Sequence, residues 1–184
     1  YLSIYLYIEN KLYGNWTNSI GNTAFSEGNG TVIFTGSTPQ IISNVTPEGT
    51  ETFHHVILNN NFNTSDSNDL IANGNLTVNA TRTLTISSND YVEVQNNITN
   101  NGTLDVLDNG SLVQINDAAV NTGNINYNRT ATIKRLDYVY WSSPVAGFAS
   151  SAISAGTPLG FQYKWLPTTV IGQLSNYGNW TYAN

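Results

Sequence analysis

Between Asn73 and Tyr127 the chain alternates apolar and polar residues in short runs that are separated by turn residues. The runs are Leu76–Val78, Leu84–Ile86, Val92–Val94, Leu104–Val106, Val113–Ile115 and Ile125–Tyr127. Alternation with a period of two is typical of a β-strand that buries one face. Asn, Asp and Gly, which tolerate the backbone angles of tight corners, stand between the runs. The pattern therefore predicts six short strands joined by tight turns.

The strands also recur with a period of about 20 residues. Leu84 is followed by Leu104 after 20 residues, and Leu104 is followed by Ile125 after 21. Three series share this period: Leu84, Leu104 and Ile125; Ile71, Val92, Val113 and Ile133; and Val56 and Leu76 together with Leu58, Val78 and Ile98. Three series with one period indicate coils of three strands that stack on one another. We therefore predict an all-β fold, a right-handed parallel β-solenoid of about five coils of 20–21 residues.

Asparagine recurs with the same period at one corner of the predicted coil. Asn59, Asn79, Asn100 and Asn121 are separated by 20, 21 and 21 residues. Stacked Asn side chains form amide ladders in parallel β-structures. The spacing predicts such a ladder here.

The N-terminal residues 1–13 lie outside the repeat. Leu2, Ile4, Leu6 and Ile8 alternate with polar or aromatic residues, so they would share one face of a strand. Such a strand either caps the open end of the solenoid or pairs with a neighbouring chain by strand addition. Both interpretations stay open from the sequence.

These patterns divide the chain into three predicted regions. They are the N-terminal strand at residues 1–13, the solenoid at residues 14–135 and an aromatic-rich β-module or cap at residues 136–184. The last region has no closing signal, so we expect the chain to be a portion of a longer exported protein, truncated within this module.

Several motifs occur in a recognisable order. They are Gly14-Asn15-Trp16, Phe25, Gly30–Gly36, Gln40–Ile42, Phe53–Asn60, Leu136–Val145, Phe161–Trp165 and Tyr177–Trp180. Together they resemble Bacteroidota cell-surface β-solenoid repeat proteins of the kind exported by the type nine secretion system. His55 stands where that family usually has Asn. The resemblance covers nearly all of residues 14–184 and implies an extracellular, cell-surface location, although the family's PGKGY motif and sorting domain do not occur here.

Composition and charge narrow the range of partners. Charged residues make up 10% of the chain, the net charge is −6, and Lys and Arg together number six. Nucleic acid is excluded as a partner because no basic stripe could neutralise its phosphates. The longest apolar stretch, Tyr1 to Ile8, is too short to span a bilayer. The absence of Cys and Met excludes disulfides, thiolate metal sites and thiol nucleophiles.

Two groups of polar residues suggest metal sites. His54 and His55 are adjacent, so on one strand they would point to opposite faces and could not bind one metal ion. Asp66 and Asp69 enclose Ser67-Asn68 with oxygen ligands at a spacing typical of calcium loops. Asx-rich turns also form solenoid corners, so calcium is the one cofactor that the sequence leaves open.

Glu93, Asp105 and Asp108 suggest a carboxylate cluster. Some β-helix lyases and glycosidases act through such clusters. These enzymes also need basic partners, which here are limited to Arg82 and Arg129. A solvated acidic face is the simpler interpretation, and we predict no catalytic residues.

Aromatic residues crowd the C-terminal region. The candidates for stacking on sugar rings are Tyr140, Trp141, Tyr163, Trp165 and Trp180. They would either fill the core of the β-module or form an exposed surface for glycans. Tyr163 and Trp165 share a strand face, but spacing alone does not separate the two interpretations.

The function predicted from these patterns is that of a non-enzymatic extracellular structural or adhesive protein: a stalk, an adhesin or a filament subunit. Repetition would provide stiffness, because each coil adds stability through its neighbours. The expected partners are further copies of the chain or neighbouring surface proteins. One alternative is a carbohydrate-binding module of a larger secreted protein with glycans as partners, and another is a β-helix polysaccharide lyase or hydrolase.

Overall fold

The computed structural model describes residues 9–19, 25–26, 28–44, 49–64, 68–134, 137–143, 148–154, 156–167 and 178–182. The chain groups into two compact units, Tyr1–Thr130 and Ala131–Asn184. The first contains stacked parallel strands, and the second contains an antiparallel hairpin with short helical segments. The predicted strand residues Leu2, Ile4, Leu6 and Ile8 lie outside the described residues, so their pairing stays a prediction.

The strands of the first unit follow one another as coils. A partial coil holds β1 (Glu9–Leu12) and β2 (Trp16–Asn18). The complete coils are β3 (Thr31–Phe34), β4 (Gln40–Asn44) and β5 (Thr50–Phe53); β6 (His55–Leu58), β7 (Phe62–Asn63) and β8 (Asp69–Ala72); β9 (Leu76–Val78), β10 (Thr83–Ile86) and β11 (Tyr91–Val94); and β12 (Ile98–Asn100), β13 (Thr103–Val106) and β14 (Ser111–Gln114). A last strand, β15 (Asn126–Tyr127), continues beyond them.

Equivalent strands of successive coils pair in parallel and form three sheets. Their orders are β1-β3-β6-β9-β12, β2-β4-β7-β10-β13-β15 and β5-β8-β11-β14. This arrangement confirms the predicted parallel β-solenoid of about five coils with three strands each. Its core is a column of buried apolar side chains, one or two from each of the strands β3–β13, and the partly buried Leu112 of β14 packs against it.

One predicted stack is wrong because the coils do not all have the same length. Ile98 pairs with Leu76, 22 residues earlier, whereas Asn100 pairs with Val78. The corner between β9 and β10 accommodates two more residues than the corners before and after it, and Thr81 there adopts a φ of 65°. A constant period therefore cannot place the strands that follow this corner.

The predicted series Ile71, Val92, Val113 and Ile133 mixes residues from the inner and outer faces of the third sheet. Val92 pairs with Leu70 and Leu112, and Leu112 packs against the core. Val113 pairs with Glu93 on the outer face and is 39% exposed. Ile71 also pairs with Glu93 on that face, and Ile133 belongs to the second unit, outside its strands. The run from Leu112 to Ile115 has apolar residues on both faces, so its sequence does not show which face is buried.

The predicted Asn ladder forms only in part. The amide of Asn79 donates to Asn59 at 3.3 Å, but Asn100 donates to the carbonyl of Asn124, and Asn121 accepts from the backbone N–H of Ile98. The long corner before β10 shifts Asn100 out of line with Asn79. The expected ladder therefore ends after two residues.

A different ladder runs along the corner that leads into the first sheet. Nδ1 of His55 accepts from the backbone N–H of Asn75 at 3.0 Å. The Asn75 side chain accepts from Asn97 N–H at 3.2 Å, and the Asn97 side chain accepts from Val120 N–H at 2.9 Å. Each side chain thus joins one coil to the next and satisfies a backbone donor that the sheets leave unpaired.

Aromatic side chains fill the solenoid at its N-terminal end. Trp16 contacts Phe25 and Phe53 with ring centroids 4.9 and 5.3 Å apart, and Phe34 contacts Phe53 and Phe62. Within this apolar cluster the buried carboxylate of Glu51 accepts from Nε1 of Trp16 at 2.6 Å and from the amide of Asn18 at 2.9 Å. β2 is therefore joined to β5 through a charge-assisted pair of hydrogen bonds.

The second unit is built around a hairpin of β16 (Tyr163–Leu166) and β17 (Asn179–Tyr182). A one-turn helix α1 (Ser150–Ile153) and a 3₁₀ turn (Leu159–Phe161) precede it. No helix among the described residues is long and apolar enough to cross a bilayer.

Candidate functional site

The hairpin of the second unit aligns aromatic residues across its two strands. Tyr163 pairs with Tyr182, and Trp165 pairs with Trp180. Alternate residues of a strand share a face, so these four rings project from the same side of the hairpin. The ring centroids are 5.1 Å apart in the tyrosine pair and 5.2 Å apart in the tryptophan pair.

A fifth ring extends this surface. Tyr140 lies with its ring centroid 5.7 Å from that of Trp180. We call the five residues Tyr140, Tyr163, Trp165, Trp180 and Tyr182 the aromatic face. Each is between 41% and 76% exposed, so these rings do not fill a core within the described part of the unit. The structure thus brings four of the five predicted stacking residues into one cluster.

Local contacts fix the orientation of the rings. Gly178 has a φ of 72°, and a Cβ built there would lie 2.7 Å from Cε2 of Trp165. Glycine therefore lets the backbone approach the indole closely. The side-chain hydrogen bond between Tyr163 and Tyr182 raises the pKa of Tyr163 and links the two strands through this ring pair.

Trp141, the fifth predicted residue, lies in a depression beside this face. The depression has a volume of about 690 Å³. Its aromatic lining is Tyr138, Trp141, Phe161 and Tyr163, and its polar lining includes Asp137 and Gln162. Tyr163 therefore belongs both to the aromatic face and to the depression.

The sequence prediction overlooked Tyr182 and the depression. The alternation Trp180-Thr181-Tyr182 is the signal that could have added Tyr182 to the face. No comparable signal exists for the depression, because its lining comes from segments without a regular pattern.

The two histidines are closer than predicted. His54 lies at the bend between β5 and β6, so the alternation of faces is interrupted there, and the ring centroids are 4.3 Å apart. The expectation of opposite faces was wrong for this reason. His55 nevertheless uses Nδ1 to hold Asn75. Burial, with a smaller contribution from His54, lowers the pKa of His55 and favours its neutral form.

The candidate calcium ligands are only partly within the described residues. Asp66 and Ser67 lie outside them, whereas Asp69 accepts from the backbone N–H of Tyr91 at 2.7 Å. The pKa of Asp69 is raised overall. Burial is the main cause, and nearby Asp90 adds to it, whereas the hydrogen bond from Tyr91 acts in the opposite direction. Among the residues that the structure describes, no three His, Cys, Asp or Glu side chains are grouped as a metal site would require.

The proposed carboxylate cluster is spread over two sheets. Glu93 lies on the outer face of β11 and Asp105 on that of β13, in different sheets. Asp105 accepts from the side chain of Asn126 at 2.7 Å, and Asp108 accepts from the backbone N–H of Thr130 at 3.1 Å. Asp105 and Asp108 thus join the last complete coil to the residues that follow it, and the structure does not bring Glu93 and Asp105 together.

A family model described as a domain of unknown function, DUF8693, matches residues 42–184. The chain belongs to this family. The DUF8693 match begins within β4 and spans the later coils as well as the hairpin that carries the aromatic face. No curated protein sequence and no solved structure matches the chain.

Proposed function

We propose that this DUF8693 protein is a non-enzymatic structural or adhesive component of a cell surface, with the solenoid as its scaffold. The location follows the resemblance to Bacteroidota surface proteins exported by the type nine system. The proposal leaves the choice between stalk, adhesin and filament subunit to experiment.

The observation that carries the proposal is the continuous stack of coils. Three parallel sheets share one apolar column, and side chains at the corners add bonds between coils. Such a stack resists bending because each inner coil is held by both of its neighbours. Its outer positions hold amides, hydroxyls, carboxylates and aliphatic groups without one repeated chemistry, which suits a scaffold better than a catalytic surface.

The test compares two variants in the source organism. Leu84→Asp places a charge in the apolar column and should unfold the stack, whereas Thr85→Asp changes the adjacent outward residue and should leave it folded. On intact cells, antibodies should detect the wild type and Thr85→Asp until the surface is treated with protease. Leu84→Asp should lose both this signal and the attachment of cells to a surface.

Recovery of the wild-type protein only from inside intact, protease-treated cells would contradict the proposal. Equal attachment of cells with and without the protein would contradict its adhesive form. In that case, electron micrographs of native material would still test a filament or stalk.

The exposed aromatic face favours a second candidate function, carbohydrate binding. Five Tyr and Trp rings lie together in water rather than in a core. Tyr and Trp combine an apolar ring with a polar edge, which suits the apolar faces and hydroxyl rims of sugars. A glycan array probed with the whole chain tests this function directly.

A further inference from the structure

The rings of the aromatic face are inclined to one another. The interplanar angle is 28° between Tyr163 and Tyr182, 43° between Tyr140 and Trp180, and 59° between Trp165 and Trp180. A crystalline polysaccharide presents a flat surface, and coplanar rings would be needed to lie against it. Inclined rings can instead contact different sides of one chain.

The adjoining depression has the dimensions of a small-molecule site. Its volume of about 690 Å³ lies within the range of about 300–1,000 Å³ that is typical of ligand pockets. Trp141 and Tyr163 contribute aromatic surface, and Asp137 and Gln162 contribute polar groups. This combination fits a ligand that has apolar faces and many hydroxyl groups, and it is too confined for the broad surface of a folded protein.

The charges near the site favour an uncharged ligand. Asp137 is the one charged residue in the described lining, and its carboxylate accepts from the backbone N–H of Lys134 at 2.7 Å. Lys164 lies between Tyr163 and Trp165 on β16, so it projects from the opposite face of the hairpin. The described lining thus has no cation to bind an acidic sugar.

From these three observations we propose that the aromatic face and the depression together bind a single chain of an uncharged glycan. Sugar rings stack on Trp165, Trp180 and Tyr140, and the chain continues past Tyr163 into the depression beside Trp141. The inference rests on the carbohydrate-binding function and adds the class of ligand to it.

The experiment measures binding by the whole chain to three classes of glycan. Calorimetry uses soluble uncharged oligosaccharides of glucose, xylose, mannose and N-acetylglucosamine, and soluble polygalacturonate as the acidic class. Sedimentation with crystalline cellulose and chitin tests flat surfaces. We expect binding to at least one uncharged oligosaccharide and a weaker affinity, by about tenfold or more, for the other two classes.

Variants then locate the site. Trp165→Ala and Trp141→Ala should each weaken binding about tenfold or more, because Trp contacts at the centre of an interface dominate its affinity. Leu166→Ala is the matched control, since Leu166 projects from the other face of the same hairpin. Tyr140→Ala is the variant least able to disturb folding, because Tyr140 is 76% exposed, and it should also weaken binding.

Three results would overturn the proposal. Preference for crystalline or acidic glycans would reject the ligand class while leaving carbohydrate binding intact. Binding that survives Trp165→Ala, Trp141→Ala and Tyr140→Ala alike would reject the location. Absence of glycan binding, with self-association in sedimentation that Trp165→Ala abolishes, would reject carbohydrate binding altogether and assign the face to a second copy of the chain.

Discussion

At the scale of single residues, His55 connects two coils through one ring nitrogen. Nδ1 accepts a proton only by giving up the hydrogen bond from Asn75 N–H. The ring also lies close to Gly74, where an added Cβ would be 2.5 Å from Nδ1, so a glycine at this position is what lets the ring approach Asn75 N–H. The corner therefore depends on neutral histidine.

The stability of the solenoid should consequently fall when the solution is acidified. The pKa of His55 is lowered in the folded protein, so the unfolded chain binds its proton more tightly. Stability that is complete above the unfolded pKa of about 6.5 is lost as the pH falls toward the lower folded pKa. Urea unfolding from pH 8 to pH 5 should show the midpoint declining below about pH 6.5.

His55→Gln separates this effect from general acid denaturation. Its amide oxygen can accept from Asn75 N–H without titrating, so the decline below pH 6.5 should become shallower. His54→Gln, at the adjacent bend, is the matched control and should retain most of the decline. A decline that is unchanged in His55→Gln would refute the role assigned to this nitrogen.

The identities of the residues in β14 also did not determine which of its two faces is buried. Leu112 and Val113 are both apolar, and each could have faced the core. Pairing with Val92 decides between them, and this contact comes from a residue of the preceding coil. Where the run is strictly alternating, as at Leu84-Thr85-Ile86, the sequence predicts the buried face correctly.

At the scale of elements, β2 depends on a carboxylate from β5. Both donors, Nε1 of Trp16 and the amide of Asn18, are directed to the same oxygen of Glu51. A donor that is shielded from water and loses its acceptor is costly, so the carboxylate stabilises the partial coil as long as both bonds persist.

Glu51→Ala should therefore destabilise the protein by about 1–3 kcal/mol, since the indole N–H of Trp16 loses its acceptor. Glu51→Gln should cost less, because its amide oxygen can take the place of the shared acceptor. Glu93→Ala, at an outward position of the same sheet, should change stability by no more than about 0.5 kcal/mol. Urea titration measures all three, and equal effects of Glu51→Ala and Glu93→Ala would contradict this view.

The period of the sequence was sufficient to predict the class of fold and most strands, because each coil repeats the same alternation. It could not predict the longer corner between β9 and β10, since two extra residues in a turn leave the alternation of the strands unchanged. The crowding of Tyr and Trp near the C-terminus likewise identified the aromatic residues of the second unit, but it did not predict the hairpin register that aligns them. That register joins residues of β16 and β17, which are more than ten positions apart in the chain.

At the scale of the whole molecule, the solenoid is a one-dimensional stack whose coils differ in the number of their neighbours. Strands β9, β10 and β11 have a partner on each side, whereas β1, β2 and β15 have a described partner on one side. In such arrays stability is a sum of coil and interface contributions, so the ends open more readily than the middle.

Hydrogen exchange of the intact protein should show this gradient directly. Amides of β9–β11 should exchange most slowly, and those of β1, β2 and β15 should exchange fastest, because opening an end breaks one interface and opening the middle breaks two. Glu51→Ala should accelerate exchange in β1 and β2 and leave β13 and β15 unchanged, since the bonds of Glu51 reach only β2 in the partial coil. Uniform exchange along the three sheets, or an effect of Glu51→Ala that spreads to β13, would instead indicate that the solenoid opens as one cooperative unit.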